Sequence, residues 1–206
     1  MDDAVERALR EAGGAPVAGA AQRAAARAAE AAGREGLVDV AFARVDSPLG
    51  TLLVAGTATG LAMIAYEEGA WDDPLARVAD AISPRVLEAP ARLDDARREL
   101  DEYFEGRRRS FDLPIDWSLV RGAFTRRVLE STARIPFGES RSYGQVAAAA
   151  GSPRGFRAAG NALGSNPIPI VVPCHRVLAA GGRLGGYTGG TERKSFLLAL
   201  EGAAVP

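Results

Sequence analysis

The stretch Val171-Val172-Pro173-Cys174-His175-Arg176-Val177 places the only cysteine of this 206-residue chain directly beside its only histidine. A thiolate is a strong nucleophile, and a neighbouring histidine is a common means of forming one near neutral pH. A lone cysteine is often just a buried, inert hydrophobic residue. Here the preceding proline, the following arginine and the glycine-rich segment 181–190 predict a chain that leaves a strand at an accessible edge. The sequence therefore favours a reactive thiol over a structural one.

Composition indicates an ordinary globular protein, with 47% apolar residues and a formal net charge of -1. One cysteine excludes an internal disulfide, and one histidine leaves no Cys/His cluster for structural zinc, so no metal or other cofactor is expected. No apolar run reaches the roughly 18 residues of a membrane span, and the chain begins with the acidic Met1-Asp2-Asp3. These features predict a protein of the reducing cytoplasm that has no membrane partner.

Charge is divided unevenly along the chain. Residues 1–106 hold 11 Lys and Arg against 20 Asp and Glu, a net charge of -9, whereas residues 107–206 hold 14 against 6, a net charge of +8. A basic surface on the half that carries Cys174 suits a polyanionic partner, because neutralising phosphates releases counterions. Pairing of an acidic lobe with a basic lobe is the alternative explanation.

The sequence predicts an α+β protein made of three segments. Residues 1–36 are rich in Ala, Arg and Glu and have few large apolar side chains, which predicts a helical or partly disordered extension with its longer helix over 18–32. Residues 37–113 are predicted to form an N-terminal α/β domain. Residues 114–206 are predicted to form a mostly helical C-terminal domain that binds DNA and holds the reactive cysteine.

In the N-terminal domain, short apolar runs between residues 38 and 66 are interrupted by turn residues at 46–50 and 57–60. This pattern predicts a small antiparallel sheet of three strands joined by hairpins. One helix is predicted after Trp71. Another is predicted over 93–105, where apolar residues recur at helical spacing and a glycine follows.

In the C-terminal domain, a helix is predicted over 119–133, and an S-x-x-Q capping box at 142–145 predicts the start of a second one. Ser152 and Pro153 are predicted to be the N-cap and first residue of a third helix, over 153–163. Two short helices around a glycine turn form a candidate helix-turn-helix motif.

The last of these helices is built largely of glycine and alanine, which permits close approach to another surface. Its projecting side chains are Arg154, Phe156, Arg157 and Asn161. The two arginines favour a nucleic-acid backbone as that surface. Packing against another protein helix is the alternative.

Two further features belong to the predicted reaction centre. Glu201 ends a helix that starts near Thr191, beside an apolar stripe, and is the candidate for orienting His175. A solvated surface glutamate is the alternative. The glycine-rich segment 181–190 is not a Walker phosphate loop, because Arg193 and not glycine precedes Lys194. It is expected to form a wall of a binding pocket, or else a simple mobile turn.

The run Asn166-Pro167-Ile168-Pro169-Ile170 ahead of the cysteine stretch, the later Gly185-Gly186-Tyr187-Thr188-Gly189-Gly190, and Leu200-Glu201-Gly202 closely resemble the methylated-DNA-protein-cysteine methyltransferases, or O6-alkylguanine-DNA alkyltransferases. The resemblance covers about residues 37–202. Some relatives bind zinc in the N-terminal lobe through cysteines and histidines that this chain does not have. Residues 1–36 lie outside the family pattern.

The resemblance implies a single, irreversible transfer of an alkyl group from guanine O6 to Cys174, with O4-alkylthymine as a further possible substrate. His175 would deprotonate Cys174 through a bridging water, Glu201 would orient His175, Asn166 would brace the turn and Tyr143 would give a proton toward the base. The implied partner is double-stranded DNA that contains O6-alkylguanine, and the protein is expected to act as a monomer.

The resemblance also implies base flipping, with Arg157 filling the vacated space while the small-residue helix lies in the minor groove. The residues expected to contact DNA are Arg154, Arg157, Ala158, Gly160 and Asn161. Those expected to surround the flipped base are Pro169, Val177, Tyr187 and Thr188. Two other functions stay open, namely a non-catalytic binder of damaged DNA and a thiol hydrolase that uses Cys174, His175 and Glu201.

Overall fold

The structure is a computed structural model that describes Ala24, Arg27 and residues 31–33, 35–67 and 73–203. Most of the helix predicted over 18–32 lies outside these residues. The α+β class is confirmed, with a small sheet and its helices in the N-terminal half and mostly helices in the C-terminal half. Within the described part of the chain, no helix is long and apolar enough to cross a membrane.

The N-terminal sheet contains the three predicted antiparallel strands, β1 (Val40–Val45), β2 (Leu52–Gly56) and β3 (Leu61–Tyr66). A fourth strand, β4 (Val86–Glu88), pairs parallel to β1, so the order is β3-β2-β1-β4 and the sheet has one strand more than predicted. Three residues are too few to show an alternating pattern, which is why the sequence did not reveal β4.

Both faces of this sheet are covered. Helix α1 (Pro74–Ala81) covers one face, where its Val78 belongs to a buried cluster with Val40, Leu53 and Met63. The opposite face belongs to the main core, which it shares with α2 (Asp94–Phe104) and with the C-terminal half. The C-terminal half therefore packs directly on the sheet, and its active-site segment is tied to β3 by a hydrogen bond of 2.8 Å from the Ile64 amide to the Pro167 carbonyl.

The described residues of the C-terminal half form four α-helices, α3 (Ala123–Ala133), α4 (Tyr143–Ala149), α5 (Phe156–Gly164) and α6 (Thr191–Leu200). Two-residue strands β5 (Arg141–Ser142) and β6 (Val177–Leu178) pair in parallel. The predicted capping box at the start of α4 is present in both directions. Helices α4 and α5 pack against each other and against α3, as in a helix-turn-helix unit.

Two predicted helix starts were wrong. Helix α3 begins at Ala123 and not at Leu119, because Gly122 has a φ of 87° that a right-handed helix does not allow, and Leu119 packs in the cluster under α1. Helix α5 begins at Phe156 with Gly155 as its N-cap. Ser152 instead closes a turn in which its carbonyl accepts the Gly155 amide at 2.8 Å.

Candidate active site

The segment between α5 and β6 folds into consecutive tight turns, so the expectation that the chain leaves a strand ahead of Cys174 was wrong. The Val172 amide donates to the Ile168 carbonyl at 2.9 Å, and the Cys174 amide donates to the Val172 carbonyl at 2.8 Å. Ile170 has a φ of 75°, a left-handed conformation that a β-branched residue rarely adopts. Such strain persists only where the surroundings impose it, and it often marks a functional segment.

Asn166 is the residue that holds this turn together. Its Nδ2 donates to the Val172 carbonyl at 2.9 Å and approaches Cys174 Sγ at 3.2 Å, while its Oδ1 accepts the Ile168 amide at 3.0 Å. Asn166 is fully buried. One amide side chain therefore connects both ends of the strained turn to the sulfur atom.

Cys174 and His175 lie in a 3-10 turn, Cys174–Arg176, so the two adjacent side chains are not forced to opposite sides as in a strand. His175 Nε2 lies 2.9 Å from Glu201 Oε1, and both side chains are completely buried. The other ring nitrogen, Nδ1, has no hydrogen-bond partner among the described residues. The contact expected between His175 and Glu201 is present, and it leaves Nδ1 as the nitrogen that can accept a proton.

Glu201 sits at the C-cap of α6 and carries more partners than the sequence indicated. Arg176 donates to it through Nε and Nη2, each at 2.8 Å, and Tyr103 Oη of α2 donates to Oε1 at 2.7 Å. Burial alone would raise the pKa of Glu201, but the hydrogen bonds from His175 and Arg176 outweigh it and lower the pKa to about 2. Glu201 is therefore a permanent anion beneath His175.

Burial dominates the protonation of the neighbouring groups. It raises the pKa of the Cys174 thiol to about 11, although Asn166 and Lys194 act in the opposite direction. It also lowers the pKa of His175 below its ordinary value, against the pull of Glu201. The resting pair is consequently a neutral thiol beside a neutral imidazole, and a base must remove the thiol proton during reaction.

A pocket of about 340 Å³ opens onto Cys174. It lies between the start of α4, the small-residue face of α5 and the glycine-rich segment, so this segment forms a pocket wall as predicted. Tyr143 Oη donates to the Gly186 carbonyl at 3.3 Å across this space. Its lining residues are Tyr143, Gly160, Leu163, Gly164, Cys174, Gly186, Tyr187 and Thr188.

The other residues predicted for base recognition differ from one another in their relation to the pocket. Pro169 is buried in the strained turn and is not among the residues that line the pocket. The Val177 carbonyl accepts Lys194 Nζ at 2.6 Å, which uses one of its two lone pairs. Thr188 lines the pocket, and its hydroxyl donates to the Gly164 carbonyl at 3.1 Å.

The residues predicted to contact DNA lie on α5 and the turn before it. Arg154, Arg157, Ala158 and Asn161 are exposed, whereas Gly160 is half-buried and also lines the pocket. A Cβ added at Gly160 would meet only the Tyr143 ring, at 3.7 Å. The Arg157 guanidinium lies over the Phe156 ring, 5.4 Å from its centroid. Arg157 precedes the pocket-lining Gly160 by three residues, so the two lie on the same side of α5.

Sequence reasoning missed Lys194, which is fully buried near Cys174. Its Nζ donates to the carbonyls of Val177, Leu184 and Gly186, so it joins the glycine-rich segment to β6. Burial lowers the pKa of Lys194 to about 8. A signal was available, because Lys194 lies seven residues before Glu201 and three before Leu197, on the buried face of α6.

Comparison with known proteins finds matches to both halves of the chain. Residues 40–117 match the family profile described as the ribonuclease-like domain of 6-O-methylguanine DNA methyltransferase, and residues 123–203 match that of its DNA binding domain. A methylated-DNA–protein-cysteine methyltransferase of Mycolicibacterium paratuberculosis is 41% identical over 163 residues, which cover 79% of this chain and 92% of the relative. The constitutive enzyme of Bacillus subtilis is 39% identical and is covered over 94% of its length.

A solved structure of Mycobacterium tuberculosis OGT in complex with DNA is similar to this chain. Its TM-score is 0.68 and its sequence identity 38%, and the match covers 78% of this chain and 92% of that one. A methyltransferase from the archaeon Pyrococcus kodakaraensis, at 23% identity and a TM-score of 0.53, shares the fold.

Proposed function

This chain belongs to the family of methylated-DNA–protein-cysteine methyltransferases, and we propose that it repairs DNA by moving an alkyl group from O6 of a flipped guanine to Cys174. The proposal rests on one observation. Cys174 lies at the wall of a pocket, next to His175, whose Nε2 is held by the buried carboxylate of Glu201. The thiol takes the alkyl group permanently, so each molecule reacts once.

The reaction begins with the thiol proton. Because the pKa of Cys174 is about 11, little thiolate exists at rest. His175 Nδ1 accepts the proton through a bridging water, while Nε2–H donates to Glu201 and the carboxylate stabilises the imidazolium. Asn166 Nδ2, at 3.2 Å from Sγ, donates toward the thiolate as it forms.

Sγ then attacks the alkyl carbon in line with the C–O6 bond. A thioether bond forms, the C–O6 bond breaks, and its electron pair remains on the guanine oxygen. Tyr143 lies across the pocket, and burial raises its pKa, so its hydroxyl keeps a proton that it can give to the base. Replacement of that proton from the imidazolium completes the reaction, which moves one alkyl group to sulfur and one proton to guanine.

Access to the lesion requires the base to leave the duplex. Helix α5 presents small residues to the minor groove, and Arg157 beside the pocket mouth occupies the gap that the flipped base leaves. Arg154 and Asn161 contact the DNA backbone and hold the duplex in place. The free thiol that this chemistry needs is maintained in a reducing compartment such as the cytoplasm.

The test is to mix the full chain with a duplex containing O6-methylguanine and to weigh the peptide that contains Cys174. We expect one added methyl group per molecule, a stoichiometric endpoint, and no transfer by Cys174→Ser. Repeated turnover on an ester would instead indicate a thiol hydrolase. Tight binding of the damaged duplex without any methyl transfer would indicate a non-catalytic lesion binder.

A further inference from the structure

Tyr66, the last residue of β3, extends the N-terminal half of the molecule to the wall of the alkyl-acceptor pocket. Its Oη lies 2.8 Å from Oη of Tyr187, and the two rings meet edge to face with their centroids 6.4 Å apart. Tyr66 is buried, whereas Tyr187 lines the pocket beside Cys174. No step of the alkyl transfer described above uses Tyr66.

Tyr66 is itself held from its far side. The guanidinium of Arg193 lies over the Tyr66 ring at 4.5 Å from the centroid, an arrangement that favours a cation–π interaction. The same guanidinium donates to the carbonyls of Leu49 and Gly189, each at 3.2 Å. The Tyr66 side chain therefore has a fixed position, and it can orient the more exposed ring of Tyr187.

Gly189 of the glycine-rich segment leaves room for the rings of Tyr66 and Tyr187 to meet. A Cβ added at Gly189 would lie 2.6 Å from Tyr66 Cε2 and 2.8 Å from Tyr187 Cε1, closer than real Cβ contacts occur. On its other side, the Tyr187 ring stands edge to face with the His175 ring, with centroids 6.4 Å apart. Tyr187 thus lies between Tyr66 and His175, the side chain that takes the proton from the thiol.

We propose that Tyr66 is a positioning residue that sets the size selectivity of the pocket, because its hydroxyl fixes the Tyr187 ring where a bulky alkyl group would extend. The inference rests on the proposed function and deepens it. With the hydrogen bond in place, the Tyr187 ring limits the space for the alkyl group on guanine O6 and so favours transfer of a methyl group. Without it, the ring can turn about its side-chain bonds and admit a larger group.

The test compares two variants that delete the same hydrogen bond from either end, Tyr66→Phe and Tyr187→Phe, together with the double variant. Single-turnover rate constants are measured on one duplex sequence that carries either O6-methylguanine or O6-benzylguanine. We expect the benzyl-to-methyl ratio to rise about three- to tenfold in each single variant, in line with the loss of one neutral hydrogen bond. The double variant should rise no further, because both changes remove one interaction.

Tyr103→Phe is the matched control. Like Tyr66, Tyr103 is a buried tyrosine of the N-terminal half whose hydroxyl bonds to a residue of the active site, in this case Glu201 at 2.7 Å. Removal of the Tyr103 hydroxyl acts through Glu201 and His175 on formation of the thiolate, so both rate constants should change by the same factor and their ratio should stay constant. Thermal unfolding of every variant shows whether a change in ratio follows a mere loss of stability.

An unchanged or falling ratio in Tyr66→Phe and Tyr187→Phe, with methyl transfer intact in the wild type, would overturn this inference alone. A ratio that also rises in Tyr103→Phe would overturn it too, because general loosening would then explain the effect. Absence of methyl transfer by the wild type would instead defeat the proposed function and this inference with it. If Tyr66→Phe does not fold, Tyr187→Phe tests the same hydrogen bond.

Discussion

Glu201 Oε1 lies 2.9 Å from His175 Nε2, and neither side chain has any exposed surface. The same carboxylate accepts two hydrogen bonds from Arg176, so its position and charge are fixed independently of the histidine. A fixed anion at Nε2 selects the tautomer whose Nδ1 accepts a proton. This relationship determines both the basicity of His175 and a part of the stability of the fold.

Glu201→Gln should slow methyl transfer and move its pH dependence toward acid. Burial keeps the pKa of His175 below 6.5 despite Glu201, so the wild-type rate should hold above pH 6.5 and fall below its lowered pKa. Without the carboxylate the pKa of His175 drops further, so the fall in rate on acidification moves to lower pH. The rate on the plateau falls about 100-fold. Single-turnover rates from pH 5 to pH 8 test this, and an acid limb that moves upward would contradict it.

The same variant should alter stability in a pH-dependent way. The pKa of Glu201 falls from 4.5 to about 2 on folding, so its stabilising contribution is complete above 4.5 and is lost as the pH falls toward 2. Glu201→Gln removes that contribution and leaves Arg176 buried without its anion, at a cost of about 3–5 kcal/mol at pH 7. Urea unfolding at pH 7 and pH 3 should show a smaller loss on acidification in the variant than in the wild type.

Lys194→Met should loosen the pocket wall. It leaves the buried Val177 carbonyl without its donor, at a cost of about 1–3 kcal/mol, and it removes the donor of the part-buried Leu184 carbonyl, which water can replace. It also removes the cation that counteracts the raised pKa of Cys174, so methyl transfer should slow. Amide hydrogen exchange over residues 181–190 should quicken in the variant. Unchanged exchange there would mean that Lys194 does not hold this segment.

Arg157→Ala should impair repair of duplex DNA more than reaction with free O6-benzylguanine, because its proposed task is to keep the gap in the duplex open. The control is Arg154→Ala, an exposed arginine on the turn before the same helix. A phosphate contact there predicts weaker binding and a smaller salt dependence, with the rate at saturating DNA preserved. Equal losses on both substrates in Arg157→Ala would show that its role is misassigned.

Local signals in the sequence predicted the features that depend on neighbouring residues. The capping box of Ser142 and Gln145 starts α4 as predicted, because both of its hydrogen bonds join residues three apart. The start of α5 was misplaced for a related reason, since Ser152 can cap a helix or close a turn and only the observed turn to Gly155 decides between them. Strand β4 was missed because its three residues are too few to show an alternating pattern, and because its pairing with β1 joins residues 46 apart in the chain.

By itself, the sequence determined the α+β class and the adjacency of one thiol and one imidazole, and it offered Glu201 as a candidate anion, because residue type and spacing along a helix or turn carry that information. Only the tertiary structure decided that Cys174 lies in a strained turn, that Lys194 and Tyr103 support the site, and that Tyr66 meets Tyr187. The contacts of Tyr66 with Tyr187 and of Tyr103 with Glu201 join residues that lie 121 and 98 positions apart in the chain. They depend on how the sheet packs against the C-terminal half, and no local pattern encodes that packing.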